Sequence, residues 1–425
     1  MSLANTIFSG GREGRRYAVI KFAGKERNNL GDQFLVQTSR TILNLAGIPD
    51  EDILEIDYED LPTWESRRGD HVLLLVTFPF LRNAKINQLF SEYIDPIFIG
   101  FFWADHVLTD DETAYLKKFE PIGCRDEYTY HTMKKHGVKA WLNGCSTIVN
   151  EYKNIKVGDK RELFLVDVPE NIVEKFPPHT IQGAKSATQM IGKDGLNGET
   201  PMSFMKKRYE RYAKEACRVV TTKLHCAMAC LCMGIPTIVV QNTKRLPVRM
   251  AWLEKLLPVY TVDELSDIDW DCGAGDISYI KKAVAENAVN LIKTPYVYHP
   301  LMDRITEYYL DRDRKEYFVE GYTSAVEYIK DNFNPEEETQ YAFWGITIFT
   351  DMLQRYMKEN YPHAVLADVI DKYKTGEYAG VGIRPISNTD ACLENVHLFV
   401  TAENAVAEAE DFIREKELKK YHLIV

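Results

Sequence analysis

Read as apolar and polar positions, the chain begins in a regular alternation of short apolar runs and amphipathic stretches. Tyr17-Ala-Val-Ile-Lys-Phe22 has the length of a buried strand, and Gly31 to Leu45 repeats its apolar residues at helical spacing until Gly47 and Pro49 stop it. Further apolar runs at Ile53 to Ile56, His71 to Thr77 and Pro96 to Phe101 predict strands; Ala84 to Tyr93 and Glu112 to Phe119 predict helices. Strands alternating with helices imply a parallel sheet. After Ile122-Gly-Cys124 and Arg125 the pattern predicts a helix with Asp126 as N-cap and Gly137 as its stop, and Val138 to Leu142 returns to the sheet. The charged, poorly periodic Glu151 to Lys160 reads as a linker, so the first lobe spans residues 17–150.

A second alternation starts at Leu163-Phe-Leu-Val-Asp167 and passes through a helix from about Met202 to Ala216. It continues as the strand Arg218-Val-Val-Thr-Thr222, a helix from Leu224 to Met233, the strand Pro236-Thr-Ile-Val-Val240 and a helix around Pro247 to Leu257. These residues form the second lobe, 151–295. The remaining stretch, 296–425, is richer in aromatics and acids and is predicted to be helical at Thr339 to Glu359 and Ala402 to Glu417. The expected fold class is α/β: two doubly wound Rossmann-like lobes followed by a mostly helical C-terminal extension.

Composition narrows the function. The 425 residues are 45% hydrophobic and 27% charged, enough for a sizeable core and too many for one ordinary domain. A net charge of -11 repels phosphate backbones, so nucleic acid is not an expected partner. A small anion needs only a local cluster of cations and N–H groups. The eight cysteines are thinly spread and no secretory signal opens the chain, which predicts reduced thiols and a cytoplasmic protein. Cys226, Cys230 and Cys232 do not share one helix face and lack a histidine cluster, so no metal is expected. Tyr17 to Gly24 carries no Gly-x-Gly-x-x-Gly, so no nicotinamide or flavin is expected either.

The segment most informative about chemistry is Ala216 to Val240: strand, polar turn, helix, glycine stop and strand. Thr221 and Thr222 are suited to cap the helix, with Lys223 and His225 in its first turn, and a helix N-terminus beside a cation favours phosphate or carboxylate. The same pattern fits a buried crossover helix whose Lys and His merely sit at its exposed end. Pattern alone leaves both open.

Val219-Val-Thr-Thr-Lys-Leu-His-Cys226, followed by Gly234-Ile-Pro-Thr237, resembles the polysaccharide pyruvyl transferases, whose late motif reads Val-Val-Thr-Ser-Arg-Leu-His and then Gly-x-Pro. Asn29-Leu-Gly-Asp32 resembles that family's early Asn-x-Gly-Asp turn, and Cys124-Arg-Asp-Glu-Tyr-Thr129 its central Arg-x-x-x-Ser/Thr helix start. Leu165-Val-Asp-Val-Pro169 is similar to a strand that often opens the second lobe. The resemblance covers about residues 17 to 290. It implies a fold similar to that of two-lobed glycosyltransferases and transfer of a pyruvyl group from phosphoenolpyruvate to a sugar, nucleotide-sugar or lipid-linked glycan in cell-surface polysaccharide synthesis. Phosphoenolpyruvate is then a co-substrate and no other cofactor is needed; a lipid-linked acceptor would draw the protein to the membrane surface peripherally.

Under this resemblance His225 is the general acid/base, and Arg125 and Lys223 clamp the donor's anionic groups. Thr221 and Thr222 line the donor side, and Asn29, Gly31 and Asp32 meet the acceptor, although Asp32 also suits the cap of its helix. Lys223 departs from the family's arginine and loses a bidentate fork for carboxylate or phosphate. Two rivals share the same residues. One is a sugar-nucleotide-dependent glycosyltransferase binding diphosphate after Thr222; the other is a non-catalytic glycan-binding or assembly protein.

Overall fold

A computed structural model describes residues 16–424 apart from 23–28, 67–68, 79–84, 104–107, 153–161, 192–195, 197, 312–314, 316, 320, 386–392, 394 and 403–404. The predicted linker lies outside the described residues except for Glu151 and Tyr152.

The first sheet joins β1 (Arg16–Lys21), β2 (Ile53–Asp57), β3 (Val72–Val76) and β4 (Ile94–Phe98), all parallel, in the order β2-β1-β3-β4. β3, Val-Leu-Leu-Leu-Val, is buried at every position, as a strand covered on both faces must be. A parallel pair, β5 (Ile122–Cys124) and β6 (Ala140–Leu142), adjoins it through a bridge between Phe101 and Cys124. The second sheet joins β7 (Glu162–Val166), β8 (Lys185–Ala187), β9 (Ala216–Thr221), β10 (Thr237–Val240) and β11 (Val259–Tyr260), again all parallel, in the order β11-β10-β9-β7-β8. Strand order reverses between β1 and β3 in the first sheet and between β7 and β9 in the second.

Helices α1 (Leu30–Leu45), α2 (Asp110–Leu116), α3 (Glu127–Lys135), α4 (Pro201–Glu215), α5 (Leu224–Cys232), α6 (Ser278–Lys293) and α7 (Pro300–Leu310) accompany these sheets. α1 packs on α4, α5 and α6, so one continuous apolar core runs from Ala18 and Phe34 to Tyr209, Met228 and Tyr309. Cys226, Ala227, Ala229 and Cys230 on α5 are fully buried in that core; their small side chains let the helix lie close to its neighbours. The stretch Ala84 to Tyr93, expected as a helix, holds among its described residues only a single 3₁₀ turn, Ile86–Gln88.

The C-terminal stretch corrects the sequence reading. Residues 296–425 are not a mostly helical extension: they contain a third sheet of β12 (Thr339–Trp344), β13 (Ala364–Ile370), β14 (Glu377–Tyr378), β15 (Val381–Arg384), β16 (His397–Val400) and β17 (Tyr421–Leu423), in the order β14-β15-β13-β12-β16-β17. Only the β14–β15 pairing is antiparallel. α8 (Tyr322–Asn332) and α9 (Ile348–Asn360) share a core with Tyr341 and Phe343 on one face, and α10 (Val406–Glu415) shares another with Ala342 and Trp344 on the opposite face. Alternate residues of β12 therefore feed separate cores. No helix among the described residues is long and apolar enough to cross a membrane.

Candidate active site

The site is built from turns at the carboxyl ends of strands, where strand order reverses. After β1, Asn29 is the N-cap of α1, its Oδ1 accepting the Gly31 N–H at 2.8 Å. The cap is thus Asn29, and Asp32 sits in the helix's first turn. Leu30 N–H donates to the Gln189 carbonyl at 2.8 Å, tying this turn to the second sheet's chain. Gly31 has to be glycine: a Cβ there would lie 2.5 Å from His225 Nδ1 and 3.1 Å from its Cβ. The imidazole rests directly on the glycine backbone.

The turn that presents His225 is held by its own polar groups. Asp167, just past β7, has a φ of 52° and accepts the Gln189 N–H on Oδ2 at 2.7 Å. Its carbonyl accepts the Thr222 hydroxyl at 2.8 Å, and Gln241 Nε2 donates to the Thr222 carbonyl at 3.3 Å. Thr221 Oγ1 accepts the Lys223 N–H at 3.0 Å. The threonines therefore fold the turn instead of capping the helix, contrary to the sequence expectation. Lys223 occupies the N-cap position of α5 with no side-chain cap bond and is exposed.

Arg125 comes from the strand pair that adjoins the first sheet. It follows β5, its N–H donates to the Phe101 carbonyl at 2.8 Å, and its guanidinium lies over the Phe102 ring at 4.6 Å. Asp126 caps α3 as the sequence predicts, accepting the Thr129 N–H at 2.9 Å. Only 4% of Arg125 is exposed. Burial, and secondarily the Arg125 charge, push the His225 pKa down to about 3, so the imidazole is neutral at physiological pH. The residue as a whole is half-buried, and its Nε2 is shielded from water with no hydrogen-bond partner among the described residues.

The structure thus brings His225, Gly31, Asn29 and Arg125 together, with Thr221 and Thr222 shaping the turn and Lys223 at its rim. The sequence reading did not count Asp167 or Gln189 among the site residues, although they join the two turns. A hint existed for Asp167, a polar residue directly ending an apolar strand, while Gln189 carried no local signal. Among the described residues no group of three or more His, Cys, Asp and Glu could hold a metal ion. A cavity of about 900 Å³ lined by Arg16, Tyr17, Trp64 and Lys293 lies at the amino end of β1, away from these residues, so volume alone does not mark the chemistry.

Two parallel sheets that set an arginine and an imidazole against a glycine turn define an α/β protein with a polar site at the carboxyl ends of its strands. Residues 29–244 match the polysaccharide pyruvyl transferases, and the chain belongs to that transferase family. The match runs from Asn29 to Lys244 and so takes in the whole of this site. No curated protein matches the chain.

Proposed function

We propose that the protein transfers a pyruvyl group from phosphoenolpyruvate to two hydroxyls of one sugar in a polysaccharide precursor, forming a cyclic ketal. We read its first two sheets as two Rossmann-like lobes with the site between them. The observation that supports this most directly is the seating of His225 on Gly31 beside Arg125, which joins three family motifs from two sheets at one point.

The chemistry requires a proton at the enol methylene carbon, attack of one sugar oxygen on the neighbouring carbon, departure of phosphate, and attack of a second sugar oxygen on the same carbon to close the ketal. In this reading Arg125 pairs with the donor's phosphate or carboxylate, with exposed Lys223 adding a point charge at the rim. His225, neutral in the free protein, takes the proton of the attacking hydroxyl at Nε2. An anion bound beside it offsets the Arg125 charge and raises the imidazole pKa, which lets His225 carry that proton and deliver it to the methylene carbon, while the second hydroxyl's proton leaves with phosphate. Asn29 and Gly31 present the acceptor side. The free cysteines among the described residues support a reducing compartment, the cytoplasm.

The test is phosphate release from phosphoenolpyruvate with a panel of nucleotide sugars and lipid-linked sugars. Release that depends on one acceptor and falls about 100-fold or more in His225→Ala is expected. Sugar-nucleotide cleavage with no phosphoenolpyruvate turnover would replace this reading with that of a glycosyltransferase.

A further inference from the structure

The third sheet lies beyond the family match and has no role in the site above. Numbered from its own first strand, its parallel core runs β15-β13-β12-β16-β17, the order 3-2-1-4-5 of dinucleotide-binding sheets, with helices on both faces. In such sheets the ligand lies at the carboxyl ends of the first and fourth strands, where the order reverses. Here those are the ends of β12 and β16.

The turn after β12 is Gly345-Ile-Thr-Ile-Phe-Thr350, so positions 345, 347 and 350 have the spacing of a Gly-x-Gly-x-x-Gly turn with the first glycine kept. Gly345 has a φ of 93° and a Cβ there would lie 2.3 Å from that of Ala402. The other two positions are threonines whose hydroxyls fill the turn. Thr347 Oγ1 donates to the Thr401 carbonyl at 3.0 Å, and Thr350 Oγ1 lies 2.8 Å from Thr401 Oγ1 and bonds the Gly345 carbonyl at 3.1 Å. Close backbone approach of a pyrophosphate needs glycine at the second position, and it is blocked here.

The rest of the crevice is equipped for a nucleoside. Asp371 directly follows β13, where a carboxylate meets ribose hydroxyls in such sheets; its Oδ1 accepts the Tyr373 and Lys374 N–H groups at 2.8 and 2.9 Å and its Oδ2 accepts the Ile346 N–H at 2.9 Å, which fixes the carboxylate beside the turn after β12 and leaves Oδ2 a lone pair for a hydroxyl. Tyr373, two residues on, is 73% exposed, the most exposed large hydrophobic residue among the described residues, with the Lys372 Nζ 6.0 Å from its ring centre. Both line a small cavity of about 30 Å³ together with Gly345, Ala402 and Trp344, whose buried indole N–H has no hydrogen-bond partner among the described residues. A cavity of that size admits one hydroxyl or water and leaves the ligand's body outside, over Tyr373.

We propose that this domain binds a nucleoside or nucleoside monophosphate, ribose on Asp371 and base on Tyr373, and does not take a pyrophosphate-bearing dinucleotide.

The full chain is titrated calorimetrically with AMP, UMP, GMP, CMP and NAD. Saturable binding of at least one monophosphate, tighter than NAD, is expected. Tyr373→Ala, a surface change that leaves the fold intact, should weaken it about tenfold, and Asp371→Asn should weaken it as much. His225→Ala should bind the monophosphate like the wild type, and Tyr373→Ala should release phosphate from phosphoenolpyruvate like the wild type, which separates this site from the transferase site. Absence of binding by all four monophosphates, binding unchanged in Tyr373→Ala, or tighter binding of NAD would overturn the proposal.

Discussion

At the scale of single residues, the site depends on what Gly31 lacks. Gly31→Ala places a methyl carbon where the His225 ring now lies, and either the ring or the turn must shift. Displacements near 1 Å at a reacting group cost about 100-fold in rate. Turnover should therefore fall by that order while circular dichroism and melting temperature stay close to wild type. Arg125→Lys keeps the charge and loses the fork, so donor KM should rise more than kcat falls. A second consequence concerns His397, which is 4% exposed and whose pKa burial, then the Lys420 charge, lowers to about 4. Unfolded histidine titrates near 6.5, so between pH 6.5 and 4 the unfolded chain binds the extra proton and acid favours unfolding. Replacing His397 with Gln removes that contribution. Relative to wild type, the variant should gain about 1.4 kcal/mol per pH unit on acidification through this window, as read by denaturant titration.

Among the elements, α3 shows how well local rules can be read. Asp126 was recognisable as a cap from its place before Glu127 and the Gly137 stop, and the structure gives it both the Thr129 N–H and the Thr129 hydroxyl, each at 2.9 Å. Asp126→Ala should cost about 1–2 kcal/mol in chemical denaturation and, because Arg125 is its neighbour, also weaken donor binding. The first seven strands and the helices Leu30–Leu45 and Leu224–Cys232 were equally legible, because their apolar runs are bounded by glycine, proline or charged turns. β12 was not. Tyr341-Ala-Phe-Trp344 is apolar at every position, and such a run fits a buried strand or a core helix until its partners are known. Those partners, β13 and β16, are set by chain far ahead. The caps at Thr221 and Thr222 failed for a related reason: Asp167, remote in sequence, claims the Thr222 hydroxyl.

For the whole molecule the distribution of cores matters most. The first two sheets share one apolar core, with a further cluster on the second sheet around Leu165, Val220 and Ile238, whereas the third sheet holds its own two clusters and meets the second sheet's chain through Lys244 and Arg245 against Glu410 and Asp411, and through Leu246 and Pro247 paired with Tyr317 and Phe318. Calorimetry should accordingly resolve two unfolding transitions, with His397→Gln moving only the one that belongs to the third sheet. A single transition shifted as a whole would show that the charged seam couples the domains more tightly than their separate cores suggest. The contact between Gly31 and His225 also sets a time of birth for the activity. A chain emerging from the ribosome carries its glycine turn early and its imidazole much later, so for most of its synthesis the protein is chemically inert. The turn of one sheet and the imidazole of the other form a site only once the second sheet has closed against the first.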